Sequence, residues 1–173
     1  MNTFKSISPC EFDPVFDKIG KEWMLITAAG KDQNGKQTVN TMTASWGGMG
    51  VLWRKHVAFV FIRPQRYTFT LTEQAERFSL SFLGEEYRDA LNLCGTKSGR
   101  DGDKIAEAGL SCAMHDGVPF IEQAHTALIC RKLYADDIKR ECFLDQSPLY
   151  TYAAGDFHKM YVLEIENVLT NKE

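Results

Sequence analysis

Residues 23–46 read WMLITAAGKDQNGKQTVNTMTASW and contain the clearest structural signal in the chain. Trp23–Ala29 is apolar and rich in β-forming residues, and Gly30 ends this run. The turn residues Asp32-Gln33-Asn34-Gly35 follow, and Asn-Gly tolerates the positive φ angles of a tight hairpin. The chain then returns through Thr38–Trp46, so the whole segment predicts a β-hairpin.

Four further segments have the pattern of strands, which gives about six strands in total: Val57–Ile62, Phe78–Phe82, Thr126–Tyr134 and Met160–Val168. Val57–Ile62 is a continuous apolar run, which predicts a strand covered on both faces. Because the strands follow one another along the chain, the sheet should be mainly antiparallel. Closing it into a small barrel would remove its exposed edges.

Helical patterns are fewer. Glu85–Leu93 has apolar residues at helical spacing and Gly95 as its stop. Asp103–Ala108 predicts a short helix with Asp101 as its N-cap. In Tyr67–Ala75 the threonines favour a strand, but the apolar residues fall on one helical face, and we interpret it as a helix. Many short strands with few helices indicate a mainly β barrel or sandwich.

Length and composition set broad limits on the protein. The 173 residues fit a single domain over residues 1–173, with its core over about 23–168. The apolar fraction of 44% and the charged fraction of 25% are ordinary for a globular protein. The net charge of −3 argues against a nucleic-acid partner, which would favour a basic face.

The cysteines and the N-terminus indicate the compartment. An odd number of cysteines without close paired spacing is not the pattern of a disulfide framework, and we expect most of them to be buried in a reducing compartment. Met1–Pro9 lacks the basic start and apolar run of a signal peptide. No stretch approaches the roughly 18 apolar residues of a membrane span. We therefore expect a cytoplasmic protein that does not associate with membranes.

The first candidate site segment is Asn40–Gly48, a strand of small and hydroxyl residues that ends in two glycines. Small side chains let a flat ligand approach the backbone, whose N–H and C=O groups can then pair with its edge. An edge strand with a loose glycine turn explains the same composition equally well.

The second segment is Arg63-Pro64-Gln65-Arg66-Tyr67-Thr68, at the end of a predicted buried strand. Arg63 or Arg66 could contact a phosphate, whose geometry suits arginine better than lysine. A solvated turn with both arginines on the surface is the commoner situation for such a sequence taken alone.

The third segment is Cys94–Lys104, which contains three glycines, two hydroxyl residues and three basic residues and ends where a helix should begin. Helix starts attract anions, and Ser98, Arg100 and Lys104 could donate to a phosphate. The glycine spacing is neither that of a P-loop nor that of a Rossmann fingerprint. A flexible basic loop is the alternative.

Other chemistry has little support in the sequence. The four histidines have no metal-ligand spacing with the cysteines, so we expect no metal site. Cys94 lies near the end of a predicted helix, where the helix dipole does not stabilise a thiolate. No Gly-x-Ser-x-Gly motif is present, so we expect no hydrolase triad.

Together these stretches resemble the flavin reductase-like family of FMN-binding split barrels, which includes the flavoredoxins. The matching stretches are Asn40–Trp46, Arg63–Thr68, Phe78–Phe82 and Cys94–Lys104. Each is short, but their order and spacing extend the resemblance over nearly the whole chain. The resemblance implies a mainly β, six-stranded antiparallel Greek-key split barrel with a few short helices, and a homodimer with FMN at the subunit interface.

The resemblance also implies which residues bind FMN. In the family, the segment like Asn40–Trp46 lines the flavin ring, and the segments like Arg63–Thr68 and Ser98–Lys104 bind the phosphate. The implied FMN-binding residues are Thr41, Met42, Thr43, Ala44, Ser45, Trp46, Arg63, Arg66, Tyr67, Thr68, Ser98, Gly99, Arg100 and Lys104. Because the flavin carries the chemistry, no side chain need act as an acid or a base.

The implied activity is that of an NAD(P)H-dependent flavin reductase, which transfers a hydride from NADH or NADPH to FMN. The electrons would then pass to free flavin, a partner protein or a small acceptor. Reductases that use a nicotinamide often carry Gly-Asp-His before the last strand, and the usual glycine in that strand is Leu163 here. This chain has Gly155-Asp156-Phe157-His158, with a phenylalanine inserted and His158 as the candidate nicotinamide residue. Two alternatives remain: a flavoredoxin-like electron carrier with little nicotinamide oxidation of its own, and a non-redox FMN-binding protein.

Overall fold

The computed structural model describes residues 8–171. Within these residues seven strands form one antiparallel sheet, and two short strands form a separate hairpin. The strands are β1 (Met24–Lys31), β2 (Gln37–Ala44), β3 (Gly47–Leu52), β4 (Lys55–Ile62), β5 (Arg77–Phe82), β6 (Cys112–His115), β7 (Val118–Ile121), β8 (Thr126–Asp137) and β9 (Lys159–Thr170). The order across the large sheet is β2-β1-β5-β8-β9-β4-β3, and β6 pairs with β7.

The large sheet curls because its two outer strands are neighbours in the sequence. β2 ends at Ala44 and β3 begins at Gly47, so Ser45 and Trp46 alone connect opposite edges of the sheet. Seven strands laid flat at about 4.8 Å spacing would place these edges roughly 29 Å apart, whereas this link spans at most about 11 Å. The sheet therefore closes into a barrel with a seam at Ser45-Trp46.

The helices are short and lie outside the barrel. They are α1 (Pro9–Phe12), α2 (Val15–Asp17), α3 (Tyr67–Gln74), α4 (Arg88–Thr96) and α5 (Lys104–Glu107). A π-helical segment covers Lys18–Glu22, and 3₁₀ segments cover Glu85–Tyr87, Arg140–Cys142 and Ser147–Tyr152. The helices predicted from the sequence at Tyr67–Ala75 and Asp103–Ala108 are confirmed.

Two details of the helix predictions are wrong. Gly95 does not end α4, which continues to Thr96. The N-cap of α5 is Asp103 and not Asp101, because the Asp103 carboxylate accepts a hydrogen bond from Ala106 N at 3.1 Å. The side chain that reaches a free N–H of the first turn is the cap, and Asp101 lies too far upstream.

Apolar residues form two core layers. The first fills the barrel with inward-facing residues of the strands, including Ile26, Val60 and Phe78. The second lies outside β1, where Leu25 packs with Leu91 of α4 and their neighbours. β1 is therefore buried on both faces, which explains its continuous apolar run. The same expectation is only partly confirmed for Val57–Ile62, because Phe59 and Phe61 stay partly exposed in the single chain.

The sequence predicted six strands, and all six are present, but it missed three others. β3 has the sequence GGMGVL, whose glycines favour a turn over a strand. Its hairpin turn to β4 uses Trp53 and Arg54 at positive φ, which are poor turn residues. The β6–β7 hairpin turns at Asp116-Gly117, both at positive φ, and this Asp-Gly signal could have been recognised.

Two expectations about the compartment can be compared with the structure. The five cysteines are free thiols, but only Cys94 and Cys130 are buried, so the expectation that most are buried is wrong. Among residues 8–171, no helix combines the length and the apolar character needed to cross a membrane. Most of Met1–Pro9, where no signal-peptide pattern was found, lies outside the described residues.

The packing of β3 against its partner strand β4 predicts that two glycines of β3 respond differently to alanine. A Cβ on Gly47 would lie 2.6 Å from the carbonyl oxygen of Phe59, so Gly47→Ala should destabilise the fold by about 1–3 kcal/mol. A Cβ on Gly50 meets no atom within 4 Å, so Gly50→Ala should be neutral or stabilising by up to about 1 kcal/mol. Urea denaturation of both variants measures the difference, and equal effects would contradict the close approach at Gly47.

Candidate functional site

A cavity of about 210 Å³ opens at the barrel seam. Residues 42–46, the end of β2 and its link to β3, form one side of it. The complete lining is Met42, Thr43, Ala44, Ser45, Trp46, Phe61, Arg63, Arg66, Gly95 and His158. Eight of these ten are residues to which the sequence assigned FMN or nicotinamide binding, so predicted residues from three separate segments come together here.

Both arginines reach the cavity because they belong to one turn. β4 ends at Ile62, and Pro64 has no N–H with which to continue a strand. The backbone N–H of Arg66 donates to the carbonyl of Arg63 at 3.0 Å, which closes the turn before α3 begins. The first and fourth residues of such a turn lie within about 7 Å, so both guanidinium groups can reach the same wall.

The two arginines differ in their partners. Arg63 forms an ion pair with Asp156 and also donates to the carbonyl of Thr151 at 3.1 Å. Arg66 is half-buried and has no ion-pair partner within residues 8–171. Burial, together with the positive charge of Arg63, lowers the pKa of Arg66. An unpaired cation in a cavity wall favours a bound anion, above all a phosphate.

Asp156 connects the chain between β8 and β9 to the turn that contains Arg63 and Arg66. Its carboxylate accepts from Gln65 Nε2 at 2.6 Å in addition to its ion pair with Arg63. Burial acts to raise the pKa of Asp156, but the hydrogen bonds from Gln65 and Arg63 outweigh it and hold the pKa below its usual range. This carboxylate therefore stays charged at neutral pH and neutralises Arg63.

His158 contributes an uncharged ring to the cavity. Burial, and then the positive charge of Arg63, lower the pKa of His158 to about 4. Its Nδ1 lies 3.0 Å from the hydroxyl of Tyr152, and its ring centroid lies 5.1 Å from that of Trp46. At neutral pH the cavity thus offers a neutral imidazole beside a half-exposed indole.

The two departures from the Gly-Asp-His pattern have structural explanations. Phe157 stacks on Tyr152 with ring centroids 4.6 Å apart and also packs near Phe143, outside the cavity lining. The inserted ring therefore joins an aromatic cluster behind His158. Leu163 is fully buried in the barrel core on β9 and does not reach the cavity.

The part of the predicted phosphate loop from Ser98 to Lys104 lies beside the cavity and not in its lining. A Cβ on Gly99 would collide with the Asn40 side chain and come within 2.9 Å of the Tyr67 ring, so the loop packs tightly there. The Arg100 guanidinium lies 4.9 Å from the Tyr67 ring centroid. The backbone N–H of Arg100 donates to Ser98 Oγ at 3.2 Å. Tyr67, Gly99 and Arg100 line a neighbouring groove.

Lys104 is buried and holds the end of α4. It is 3% exposed, and its Nζ donates to the carbonyls of Cys94 at 2.9 Å and Lys97 at 3.0 Å. These carbonyls belong to the last turn and cap of α4 and have no partner within the helix. Burial, aided by the nearby charge of Arg66, lowers the pKa of Lys104 to about 8.

Two other residues that were predicted to bind FMN, Thr41 and Thr68, lie outside the cavity lining. Thr41 is fully buried, and its hydroxyl lies 2.9 Å from that of Thr27. Thr68, also buried, accepts a hydrogen bond from Asn40 Nδ2 at 2.8 Å, which joins β2 to the start of α3. Neither side chain lines the cavity, so both position the backbone of the segments that do.

The sequence missed two lining residues, Phe61 and Gly95. Phe61 belongs to an apolar run that was interpreted as buried, and nothing in that pattern distinguishes it from its neighbours. A Cβ on Gly95 would lie 3.4 Å from Thr43 Cβ, so the end of α4 can approach β2 closely only with a small residue. Gly95 was in a predicted site segment, but it was interpreted as a helix stop.

The arrangement suits a flat, neutral ring joined to an anionic tail. Small residues at the seam provide a wall for a ring, and Arg66 provides the unpaired charge for a phosphate. A flavin mononucleotide has these two parts, so the residues present fit it. Among residues 8–171, no group of three or more His, Cys, Asp or Glu side chains could hold a metal ion.

The chain belongs to the family described as flavin reductase like domain, because the model of this family matches residues 16–173. Membership supports a flavin-binding redox function. A search of curated proteins finds no match.

Solved structures with similar folds include flavin-binding proteins of several kinds. An FMN-binding protein from Thermus thermophilus with bound p-hydroxybenzaldehyde is 25% identical, with a TM-score of 0.62 over 99% of this chain and 83% of that chain. The flavoredoxin of Desulfovibrio vulgaris (Miyazaki F) is 19% identical, with a TM-score of 0.65 over 87% and 69%. The styrene monooxygenase flavin reductase from Pseudomonas putida S12 is 14% identical, with a TM-score of 0.61 over 87% and 80%. These likenesses confirm the split-barrel fold, with seven strands in the large sheet instead of six.

The burial of Lys104 predicts a specific pH dependence of stability. Between about pH 8 and pH 10.5 the unfolded chain keeps a proton on this lysine that the folded chain has lost, so the free energy of unfolding should rise with pH. The rise should be on the order of 3 kcal/mol relative to Lys104→Met. Urea denaturation across this range measures it, with Lys97→Met, at a more exposed site, as the control. A constant difference between the wild type and Lys104→Met would contradict the lowered pKa.

Proposed function

We propose that the chain is an FMN-binding oxidoreductase of the flavin reductase type that oxidises NADH or NADPH. The observation that carries this proposal is the unpaired Arg66 in a cavity walled by the small residues Thr43, Ala44 and Ser45. The small residues suit a flat ring, and the guanidinium suits a phosphate. When bound, FMN would supply the capacity to accept a hydride.

The protein's own residues would bind and orient the ring. As an outer strand of the sheet, β2 leaves half of its backbone N–H and C=O groups without a strand partner, available to the edge of a ligand. Trp46, 48% exposed, would cover the ring and exclude water. The uncharged His158 can form a hydrogen bond without adding positive charge to a cavity that already contains two arginines.

We also propose that the protein is a homodimer with FMN at the subunit interface, acting in the cytoplasm. A cavity of about 210 Å³ is smaller than the roughly 300–1,000 Å³ of typical ligand sites, so a second subunit would complete it. The partly exposed Phe59 and Phe61 on β4 are candidates for contacts with that subunit. Electrons would leave to free flavin, a partner protein or a small acceptor.

A second candidate function is a flavoredoxin-like electron carrier with little nicotinamide oxidation of its own. The packing of the Gly155-Asp156-Phe157-His158 stretch favours it. Asp156 is engaged with Arg63 and Gln65, and Phe157 is stacked on Tyr152, so two residues of the stretch are already committed to contacts within the chain. Only His158 of the four lines the cavity. A non-redox FMN-binding protein is the third candidate.

Arg66 should distinguish FMN from riboflavin, which lacks the phosphate. Arg66→Ala should weaken FMN binding about tenfold to a hundredfold, which corresponds to about 1.4–2.8 kcal/mol, and leave riboflavin binding little changed. The double variant Arg63→Ala/Asp156→Asn should reduce this preference for FMN less, since it removes an ion pair that has no net charge. Fluorescence titration with both flavins measures the affinities. Equal losses for FMN and riboflavin would refute the phosphate role of Arg66.

Nicotinamide use should be visible in the absorption of the bound flavin. Under anaerobic conditions NADPH or NADH should bleach the flavin bands of the FMN-loaded protein within seconds. Bands that persist with both nicotinamides but bleach with dithionite would replace the reductase by the carrier. A protein that takes up no FMN after soaking would overturn the proposal, and one whose FMN cannot be reduced at all would support the non-redox alternative.

A further inference from the structure

Trp46 lies between the proposed flavin cavity and a second cavity of about 430 Å³. We call the second one the N-terminal cavity, because residues 15–20 form one of its walls. The opposite wall is the start of β3, from Gly47 to Met49. Ser45 and Trp46 line both cavities, so a molecule in the N-terminal cavity would share these two residues with the flavin site.

The lining of the N-terminal cavity is almost entirely apolar. Its larger side chains are Val15, Phe16, Ile19, Trp46 and Met49, and the rest of the lining consists of glycines and Ser45. Among the residues between 8 and 171 that line it, none is charged. The flavin cavity, by contrast, contains two arginines.

Glycines occupy three positions in the walls of the N-terminal cavity. A Cβ on Gly47 would collide with the Phe59 carbonyl of the paired strand β4, so this position cannot carry a side chain. Gly20 and Gly48 add two further positions without side chains to the walls. Three of the nine lining positions therefore have no side chain, which leaves room for an occupant.

Two aromatic side chains remain available to an occupant. Phe16 is 49% exposed and Trp46 is 48% exposed, although both lie in the cavity wall. A ring compound that contacts them would remove apolar surface from water and gain the offset or edge-on contacts that aromatic rings prefer. An ionised group would lose its hydration without gaining a partner, which is strongly unfavourable.

We propose that the N-terminal cavity binds a neutral aromatic compound of one or two rings in contact with Phe16 and Trp46. A volume of about 430 Å³ lies within the roughly 300–1,000 Å³ range of small-molecule sites, at the end that suits such a compound. Binding does not require the flavin, so this inference stands apart from the proposed reductase activity. If both sites are occupied, the compound lies beside the flavin site with Trp46 between them.

Calorimetric titration of the FMN-loaded protein with naphthol, a neutral two-ring compound, tests this proposal. We expect saturable binding of one naphthol per chain. Naphthoate has the same rings with a negative charge, and it should bind at least tenfold more weakly. The same titration of protein without FMN should give a similar affinity, which keeps this test independent of the flavin proposal.

A matched pair of variants locates the site. Phe16→Ala should weaken naphthol binding at least tenfold, because it removes an aromatic side chain from the cavity wall. The variant should remain folded, because the Phe16 side chain is half exposed and contributes little to the core. Phe12→Ala, on the same segment but 77% exposed and outside the lining, should leave the affinity unchanged. Urea denaturation of both variants checks that each remains folded.

Several outcomes would overturn the proposal. These are the absence of saturable naphthol binding, equal affinity for naphthol and naphthoate, and equal losses in the two variants. Competition between naphthol and FMN would show that the N-terminal cavity is part of the flavin site. If the wild type binds no naphthol and the dimer of the Phe16→Ala variant dissociates, a second copy of the chain occupies the cavity.

Discussion

The two-residue link between β2 and β3 constrains the rest of the structure. These strands are the outer edges of a seven-stranded sheet, and Ser45 and Trp46 can join them only if the sheet closes. Where β3 pairs with β4, its backbone comes so near to Phe59 that Gly47 must lack a side chain. At the seam the backbone segments therefore lie close together and few side chains separate them. Both cavities described above lie along this seam. Gly47 serves the pairing of β3 with β4, and the small residues beside it make a ligand site possible.

Within residues 8–171 one of the two arginines in the flavin cavity has a carboxylate partner and the other has none, and this difference sets the charge of the cavity. One turn supplies Arg63 and Arg66, and the chain before β9 supplies a single carboxylate, Asp156, which pairs with Arg63. Burial is the main cause of the lowered pKa of Arg66, the positive charge of Arg63 adds to it, and two unpaired guanidinium groups in one wall would repel each other. Pairing one of them relieves part of this repulsion and fixes the chain between β8 and β9 against the cavity. The other keeps its charge unpaired, and its unfavourable environment is what a bound phosphate would improve.

Sequence patterns predicted the parts of this structure that are specified by residues close together in the chain. Alternation and turn residues were sufficient for six strands and three helices, because each of these elements is specified within about ten residues. β3 was missed because its three glycines favour a turn over a strand, and a contact with Phe59 that no local pattern reveals requires only Gly47. At the site, the segments were recognised, but the Arg63–Asp156 pair joins residues 93 positions apart, and the sequence gives no sign of it. Phe61 was missed because the run that contains it has no distinguishing residue.

Lys104 illustrates why residue type alone does not define a binding role. Basic residues in a glycine-rich loop indicate an anion site, yet two of the three hydrogens of this ammonium are donated to the carbonyls of Cys94 and Lys97. One donor at most remains for a phosphate, and burial disfavours the charged form above about pH 8. An anion nearby would favour the ammonium and raise the pKa again. If Lys104 contacts the FMN phosphate as the family resemblance implies, flavin binding and protonation of this lysine are therefore linked, and the same side chain connects the end of α4 to the occupancy of the site.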